Sequence, residues 1–321
     1  MAGEPLIEAR GLSVAFGPPD RPVRAVADLD LAIRPGEILG IAGESGSGKS
    51  TLSAALMGVL PPAARVAGEV RFRGRSLYDL PRAELRRLWG REIGMILQNP
   101  MTSLDPLYTI GSQLGEVLAV HGQAADRRAR SLDVLRSVHL TAPELRLRQY
   151  PHELSGGMRQ RTLIGMASAA APKLLLADEP TTALDATIQE EILLLFAEIR
   201  ERHGTAIAIV THDLGVIRRI CDRVVVMYAG HIVEDGPVEA LFTRPRHPYT
   251  RALLASIPRV RDGEVTLQPI PGQVPDLAAL GDFCAFAERC PMADERCRRD
   301  QPREQVLDGR RVFCWHADRA A

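Results

Sequence analysis

The chain has 321 residues, 45% of them hydrophobic and 25% charged, with 40 basic and 40 acidic side chains that cancel. This is the composition of a globular protein, long enough for one large domain and a smaller one. The neutral balance gives no reason to expect nucleic acid as the main partner.

The longest uncharged run, Ser50 to Ala64, is interrupted by Pro61 and Pro62. It falls short of the roughly 18 apolar residues that span a bilayer. The start, Met1-Ala2-Gly3-Glu4-Pro5, lacks the basic and apolar regions of a secretory signal. A cytoplasmic location is expected, with any membrane role supplied by a partner. Among the basic residues only Lys49 and Lys173 are lysine. Codon usage in a GC-rich genome accounts for the arginine excess and makes Lys49 more telling.

In chain order, the opening third reads as short strands separated by Pro and Gly. It leads to Glu37-Ile38-Leu39-Gly40-Ile41-Ala42, a buried strand by its unbroken apolar run. Lys49 to Leu60 reads as a helix stopped by Pro61-Pro62. From Gln98 to about Leu147 the pattern is helical and loop-like. Core strands resume at Lys173–Asp178, Ala206–Thr211 and Arg223–Tyr228. Between the first two, Ile188, Ile192, Leu195, Phe196 and Ile199 recur at helical spacing, and Gly204 suits that helix's end. Strands alternating with helices predict an α/β fold with a mainly parallel sheet covered on both faces. From about Ser256 prolines multiply and periodicity fades, which places a boundary there: 1–255 as one domain and 256–321 as an extension.

Between the buried strand and the first helix lies Gly43-Glu44-Ser45-Gly46-Ser47-Gly48-Lys49-Ser50. Gly-x4-Gly-Lys-Ser in that context is a phosphate-binding loop. Its glycines let successive backbone N–H groups turn inward, and the helix N-terminus adds positive potential. The Lys49 ammonium suits the β- and γ-phosphates, where a planar guanidinium fits poorly, and the Ser50 hydroxyl suits Mg²⁺. Further on, Leu174-Leu175-Leu176-Ala177-Asp178-Glu179 is an apolar strand ending in acids. Adjacent acids at a strand end usually form a solvated edge; here they follow a phosphate loop, and Asp178 is placed to reach Mg²⁺.

The stretch Leu154-Ser155-Gly156-Gly157-Met158-Arg159-Gln160-Arg161 lies between these two motifs and opens a helix. With it, the chain resembles the ATP-binding cassette (ABC) ATPases from end to end. The resemblance implies a P-loop ATPase with a RecA-like core, an N-terminal antiparallel β subdomain and a helical signature subdomain at about 99–165. It implies that residues Gly43 to Ser50 and Thr51 cradle ATP, with Phe16 stacking on adenine. A lone aromatic in a β run is otherwise unremarkable. It makes Glu179 the base that polarises the attacking water, His212 the contact to the γ-phosphate, and Gln98 the sensor of Mg²⁺ and of the transmembrane partner. Mg²⁺ would be held through Ser50, Gln98 and Asp178. Ser155, Gly156, Gly157 and Gln160 would meet the ATP of the opposite subunit, and Asp185 would cross the dimer interface. Every matched motif is intact, so this subunit is expected to give competent halves to both composite sites.

Three segments narrow the resemblance: Gln98-Asn99-Pro100-Met101-Thr102-Ser103-Leu104-Asp105-Pro106, Thr181-Thr182-Ala183-Leu184-Asp185-Ala186-Thr187-Ile188-Gln189, and Ile270-Pro271-Gly272-Gln273-Val274-Pro275-Asp276-Leu277. They look like the ATP-binding subunit of bacterial oligopeptide/dipeptide importers, a group that includes nickel importers. The resemblance implies a paralogous ATPase partner, two permeases and an extracytoplasmic solute-binding protein, with this chain on the cytoplasmic face of the membrane. Nickel and haem remain alternatives to peptide as cargo. A soluble ABC ATPase of translation or DNA repair is the rival from another class, and it typically has two cassettes or a long coiled coil. An exporter ATPase is a further rival, in which the cysteine tail has no role.

That tail carries Cys284, Cys290, Cys297 and Cys314 at C-x5-C-x6-C-x16-C. Cytosolic disulfides are disfavoured, and four thiolates suit Zn²⁺ or an iron–sulfur cluster, with buried free cysteines as the plain alternative. Comparable tails in peptide importers carry a [4Fe–4S] cluster, so the resemblance favours that cluster, with zinc second. Cys221 reads as a core residue, and His316 as a solvated terminal histidine, with a substitute metal ligand as its alternative. No tail cysteine belongs to a nucleotide motif, so hydrolysis is expected to survive changes there.

Overall fold

The computed structural model describes residues 4–98, 100–122, 126–182, 184–257, 259–261, 264–266 and 268–319. Asn99, where the helical subdomain was expected to begin, and Ala183 of the second importer-like segment lie outside the described residues. By internal contacts the chain forms two units: 1–33 with 37–78 and 210–321, and 34–36 with 79–209.

The first unit opens with β1 (Ile7–Phe16) and β2 (Val23–Ile33), longer than the short strands the sequence suggests. They pair antiparallel from Ile7↔Ile33 to Phe16↔Val23, with register irregularities between. β3 (Ile38–Ala42) is wholly buried. It feeds α1 (Lys49–Met57), which ends at Gly58 in the left-handed conformation. That glycine, not Pro61-Pro62, stops the helix, because it turns the chain while its N–H still reaches the Ala54 and Ala55 carbonyls. β4 (Arg65–Phe72) and β5 (Arg75–Ser76) complete a sheet of order β2-β1-β4-β5.

The second unit contains α2 (Arg82–Leu88), β6 (Ile93–Ile96), α3 (Pro100–Ser103), α4 (Ile110–Val120), α5 (Arg127–Ser137) and α6 (Pro143–Arg146). α7 (Gly156–Ser168), β7 (Leu174–Asp178) and α8 (Ala186–His203) follow. β6 and β7 are parallel, from Ile93↔Leu174 to Ile96↔Ala177. α8 buries Ile192, Leu195, Phe196 and Ile199 of the expected stripe and ends at Gly204, while Ile188, in its first turn, is only half-buried. Arg161 on α7 donates to the Val138 carbonyl at 3.0 Å and to Glu191 of α8 at 2.6 Å, joining three segments around the signature helix.

β8 (Ala206–Thr211) brings the chain back toward the first unit. There α9 (Leu214–Ile220) precedes β9 (Arg223–Tyr228), which runs parallel to β3. β10 (His231–Pro237) returns antiparallel through Ala229-Gly230, and α10 (Val238–Thr243) and α11 (Pro248–Ala255) follow. Beyond them come the hairpin β11 (Arg259–Arg261) and β12 (Glu264–Thr266), then α12 (Glu295–Arg299), β13 (Gln305–Leu307) and β14 (Arg310–Val312). β14 pairs with β10 at Glu234↔Val312, so the strands of this unit run β13-β14-β10-β9-β3. Cys221 is 9% exposed, as a core residue should be. No helix among the described residues is long and apolar enough to cross a membrane.

Candidate nucleotide site and cysteine tail

The loop after β3 is shaped by its glycines. Gly43 and Gly48 have φ of 153° and 98°, and a Cβ on Gly48 would lie 2.1 Å from the Ala25 carbonyl oxygen. No other residue type fits there. Gly48 begins α1, whose first N–H groups therefore face the loop. Lys49 is 7% exposed. Its Nζ donates to the Gly43 and Glu44 carbonyls at 2.8 Å each and lies 3.3 Å from Ser47 Oγ. Ser45, Gly46 and Ser50 are exposed and Thr51 is half-buried. The backbone can thus offer N–H groups to phosphate while the ammonium sits beneath it. Phe16 is half-buried at the end of β1.

In the second unit, Asp178 ends β7 and is 6% exposed, and Glu179, 9% exposed, follows it. Glu179 has φ of 50°, unusual for a non-glycine residue, and its carboxylate accepts from the Thr182 hydroxyl. A backbone held in that region at a carboxylate is the kind of strain that collects at functional sites. Gln98 follows β6 and is exposed.

Ser155 of the signature and Asp185 both serve as helix caps. Ser155 N-caps α7, accepting from Met158 N at 3.3 Å, and Asp185 N-caps α8, accepting from Ile188 N at 2.9 Å. Gly157 permits close packing of these helix starts: a Cβ there would be 2.7 Å from Ile188 Cγ2. Ser155 and Gly156 are exposed, whereas Gln160 is 2% exposed and faces inward. In the first unit His212 follows β8 and is exposed.

Sequence patterns missed a layer of residues around the loop. Glu44 N donates to the Tyr249 hydroxyl at 2.9 Å, and its carboxylate takes two bonds from Arg289, at 2.8 and 3.2 Å. Tyr228, Tyr249 and Phe286 pack with ring centroids 4.6 to 5.3 Å apart. Burial opposes charge on Arg289, but Glu44 and Tyr228 outweigh it and hold the guanidinium's pKa above its ordinary value. The only sequence signal for this layer is three aromatics and an arginine scattered over many residues, with no motif to unite them.

In the tail, Cys284 N donates to the Cys297 carbonyl at 3.1 Å. Burial pushes the Cys284 thiol up to about 12 and the Cys314 thiol up to about 11, and the neighbouring cysteines add to both shifts. Burial also raises Cys290 and Cys297. One group of potential metal ligands, Asp294, Cys297 and His316, has ligand atoms all within 4.8 Å of one another. The solvated reading of His316 is thereby corrected, and its alternative as a substitute ligand is the one this grouping fits. Its side chain is 15% exposed, and Nε2 lies 3.2 Å from the Asp294 carboxylate.

Comparison with known proteins places the chain in a family. The ABC transporter family matches residues 26–182, and the oligopeptide/dipeptide transporter C-terminal region matches residues 233–297. The dipeptide transport ATP-binding protein DppD of Escherichia coli (strain K12) is 45% identical over 313 residues, covering 96% of each chain. The chain belongs to the ATP-binding subunits of the peptide ABC transporters.

The oligopeptide transport ATP-binding protein OppD of Salmonella typhimurium is 46% identical over 312 residues, covering 97% of this chain and 93% of that one. Among solved structures, the dimeric ATP-binding cassette MJ0796 in a post-hydrolysis state with ADP and Pi is similar, at TM-score 0.65 and 30% identity. It covers 72% of this chain and 98% of its own. CbiO1 of Clostridium perfringens, part of the transporter complex cbiONQ, gives 0.63 at 26% identity. This ABC subunit is therefore an ATPase with the ABC fold. A soluble translation or repair ATPase is not favoured, because the C-terminal match is to the transporter region.

Proposed function

We propose that this subunit hydrolyses ATP to drive peptide import, working on the cytoplasmic face of the membrane with a paralogous ATPase and two permeases fed by an external binding protein. The observation that carries the proposal is the joint presence of an ABC core and the oligopeptide/dipeptide C-terminal region in one chain. In this reading Lys49 and the loop N–H groups bind the phosphates. Glu179, restrained by Thr182, polarises the attacking water, and His212 meets the γ-phosphate. Ser155, Gly156, Gly157 and Gln160 serve the partner's ATP, Asp185 lies at the dimer contact, and Phe16 holds the base. Ser50, Asp178 and Gln98 would hold Mg²⁺, whose charge offsets that of the phosphates. Co-purification with two polytopic permeases, and ATPase activity stimulated by peptide-loaded binding protein in vesicles, is the expected result. Stimulation by nickel or haem carriers but not by peptide would redirect the substrate.

Cys284, Cys290, Cys297 and Cys314 suit a [4Fe–4S] cluster. Four soft donors are gathered in a region of three- to five-residue elements, where a metal centre would supply a structural staple. Zinc is the second reading, favoured by the Asp294–Cys297–His316 group, since nitrogen, oxygen and sulfur donors together suit that ion. Metal analysis of protein purified without oxygen separates them: about four irons per chain supports the cluster, and one zinc supports the alternative.

A further inference from the structure

The second residue of the phosphate loop, Glu44, has every polar group engaged. Its N–H donates to the Tyr249 hydroxyl at 2.9 Å, its carbonyl receives Lys49 Nζ at 2.8 Å, and its carboxylate is clasped by Arg289 at 2.8 and 3.2 Å. Immediately after it, Ser45 and Gly46 are exposed. The position of Glu44 thus sets where the exposed half of the loop begins.

Arg289 lies far along the chain, in the tail, and its side chain is 5% exposed. Nε donates to the Pro271 carbonyl at 2.7 Å, and the remaining donors reach the Tyr228 hydroxyl at 3.2 Å and the Ile270 carbonyl at 3.3 Å. The guanidinium lies 5.7 Å from the Tyr228 ring centroid. A planar five-donor group held on every side is a rigid anchor, unlike an exposed ion pair between two long side chains.

We propose that Arg289 is a positioning residue for ATP. By fixing Glu44 it holds the loop backbone in its phosphate-binding shape, so that the tail sets nucleotide affinity. The proposal rests on reading the loop as the ATP site and adds a residue that no nucleotide motif contains. Preorganisation of this kind acts mainly on binding, because without it part of the binding energy goes to ordering the loop.

The test is equilibrium titration of the full-length protein with a fluorescent ATP analogue, with melting curves to confirm folding and turnover measured at saturating ATP. Arg289→Ala and Glu44→Gln should each weaken binding about ten-fold, the worth of one lost charge-assisted contact. The double variant should be no weaker than either alone, because both break one link. Arg289→Lys should fall between, and kcat should drop far less than affinity. Asp282→Asn, which breaks another tail ion pair, to Arg24 at 2.6 Å, should bind ATP like wild type. Wild-type affinity in Arg289→Ala would overturn the proposal, as would equal weakening in Asp282→Asn. If Arg289→Ala does not fold, Glu44→Gln decides: unchanged affinity there overturns it. Failure of the unmodified protein to bind ATP would instead remove the nucleotide site itself.

Discussion

The nucleotide loop and the cysteine tail are both irregular segments, yet they are held in opposite ways. The loop is bounded by a fully buried strand and a nine-residue helix, its turns are set by its glycines, and two of its carbonyls hold Lys49. The tail has a five-residue helix and three-residue strands, too little regular structure to define itself. Its order comes from side chains that reach outward: Phe286 in the aromatic cluster, Arg289 on Glu44, Arg311 on Asp235 at 3.3 Å. A segment ordered by outward contacts can pass on a change in what it touches, and the loop receives one such contact at Glu44.

The sharpest way to break that contrast is at the chemistry. Glu179→Gln should retain ATP binding and slow hydrolysis by about 10²–10⁴-fold, the usual contribution of a positioned base. Trapping of the ATP-bound dimer on a sizing column would accompany it, and near-normal turnover would remove Glu179 from its role. Next comes Lys49→Ala, in which the loop keeps its shape but loses the charge between its carbonyls. Nucleotide titration should show affinity reduced by about 10²-fold or more. Lys49→Arg should also fail, since a guanidinium cannot occupy the site where Nζ meets two carbonyls at 2.8 Å. Wild-type affinity in either variant would contradict the assignment.

In the tail, if the four cysteines hold the proposed [4Fe–4S] cluster, anaerobically purified protein should be brown. Ser in place of Cys284, Cys290, Cys297 or Cys314 should each remove the iron and lower the melting temperature, while Cys221→Ser leaves the iron intact. Turnover at saturating ATP should survive, because no tail cysteine belongs to a nucleotide motif. A His316→Ala variant that loses metal while the cysteines stay intact would favour the zinc site instead.

The smallest effect concerns acid. His247 is 2% exposed, caps α11 by accepting from Tyr249 N at 3.0 Å, and has its pKa lowered by burial to about 3. The unfolded chain binds this proton near pH 6.5 and the folded chain does not. Stability is therefore undiminished above pH 6.5 and falls as the pH drops toward 3, by roughly 2 kcal/mol at pH 5. Melting curves should show His247→Asn, which keeps a capping side chain but cannot take a proton, losing less stability over that range. Equal losses would exonerate the histidine.

The sequence was most legible where function needs particular residue types at fixed spacing. Gly48 is excluded from substitution by the Ala25 carbonyl, and Ser155 and Asp185 carry both a motif and a helix cap, so pattern and fold agree. The core strands at Ala206–Thr211 and Arg223–Tyr228 were legible to the residue because burial on both faces leaves an unbroken apolar run. The end of α1 was misjudged, since a left-handed glycine acted before the prolines could. The Arg289–Glu44 clasp joins positions 245 apart, and His316 meets Asp294 through tertiary packing alone; neither leaves a local signal.

The discontinuity of the first unit has a consequence for biosynthesis. Residues 1–33 and 37–78 share their unit with 210–321. Glu37 waits for Arg223, Glu44 for Arg289, and the Asp30 carbonyl for Arg311, which donates to it at 2.9 Å. During translation the phosphate loop therefore leaves the ribosome with its motif complete and its supports unmade. Contacts so distant in sequence form slowly. On the proposed role of Arg289, a chain released before residue 289 would carry the phosphate loop without the clasp that holds Glu44, so full-length synthesis itself becomes the step that finishes the site.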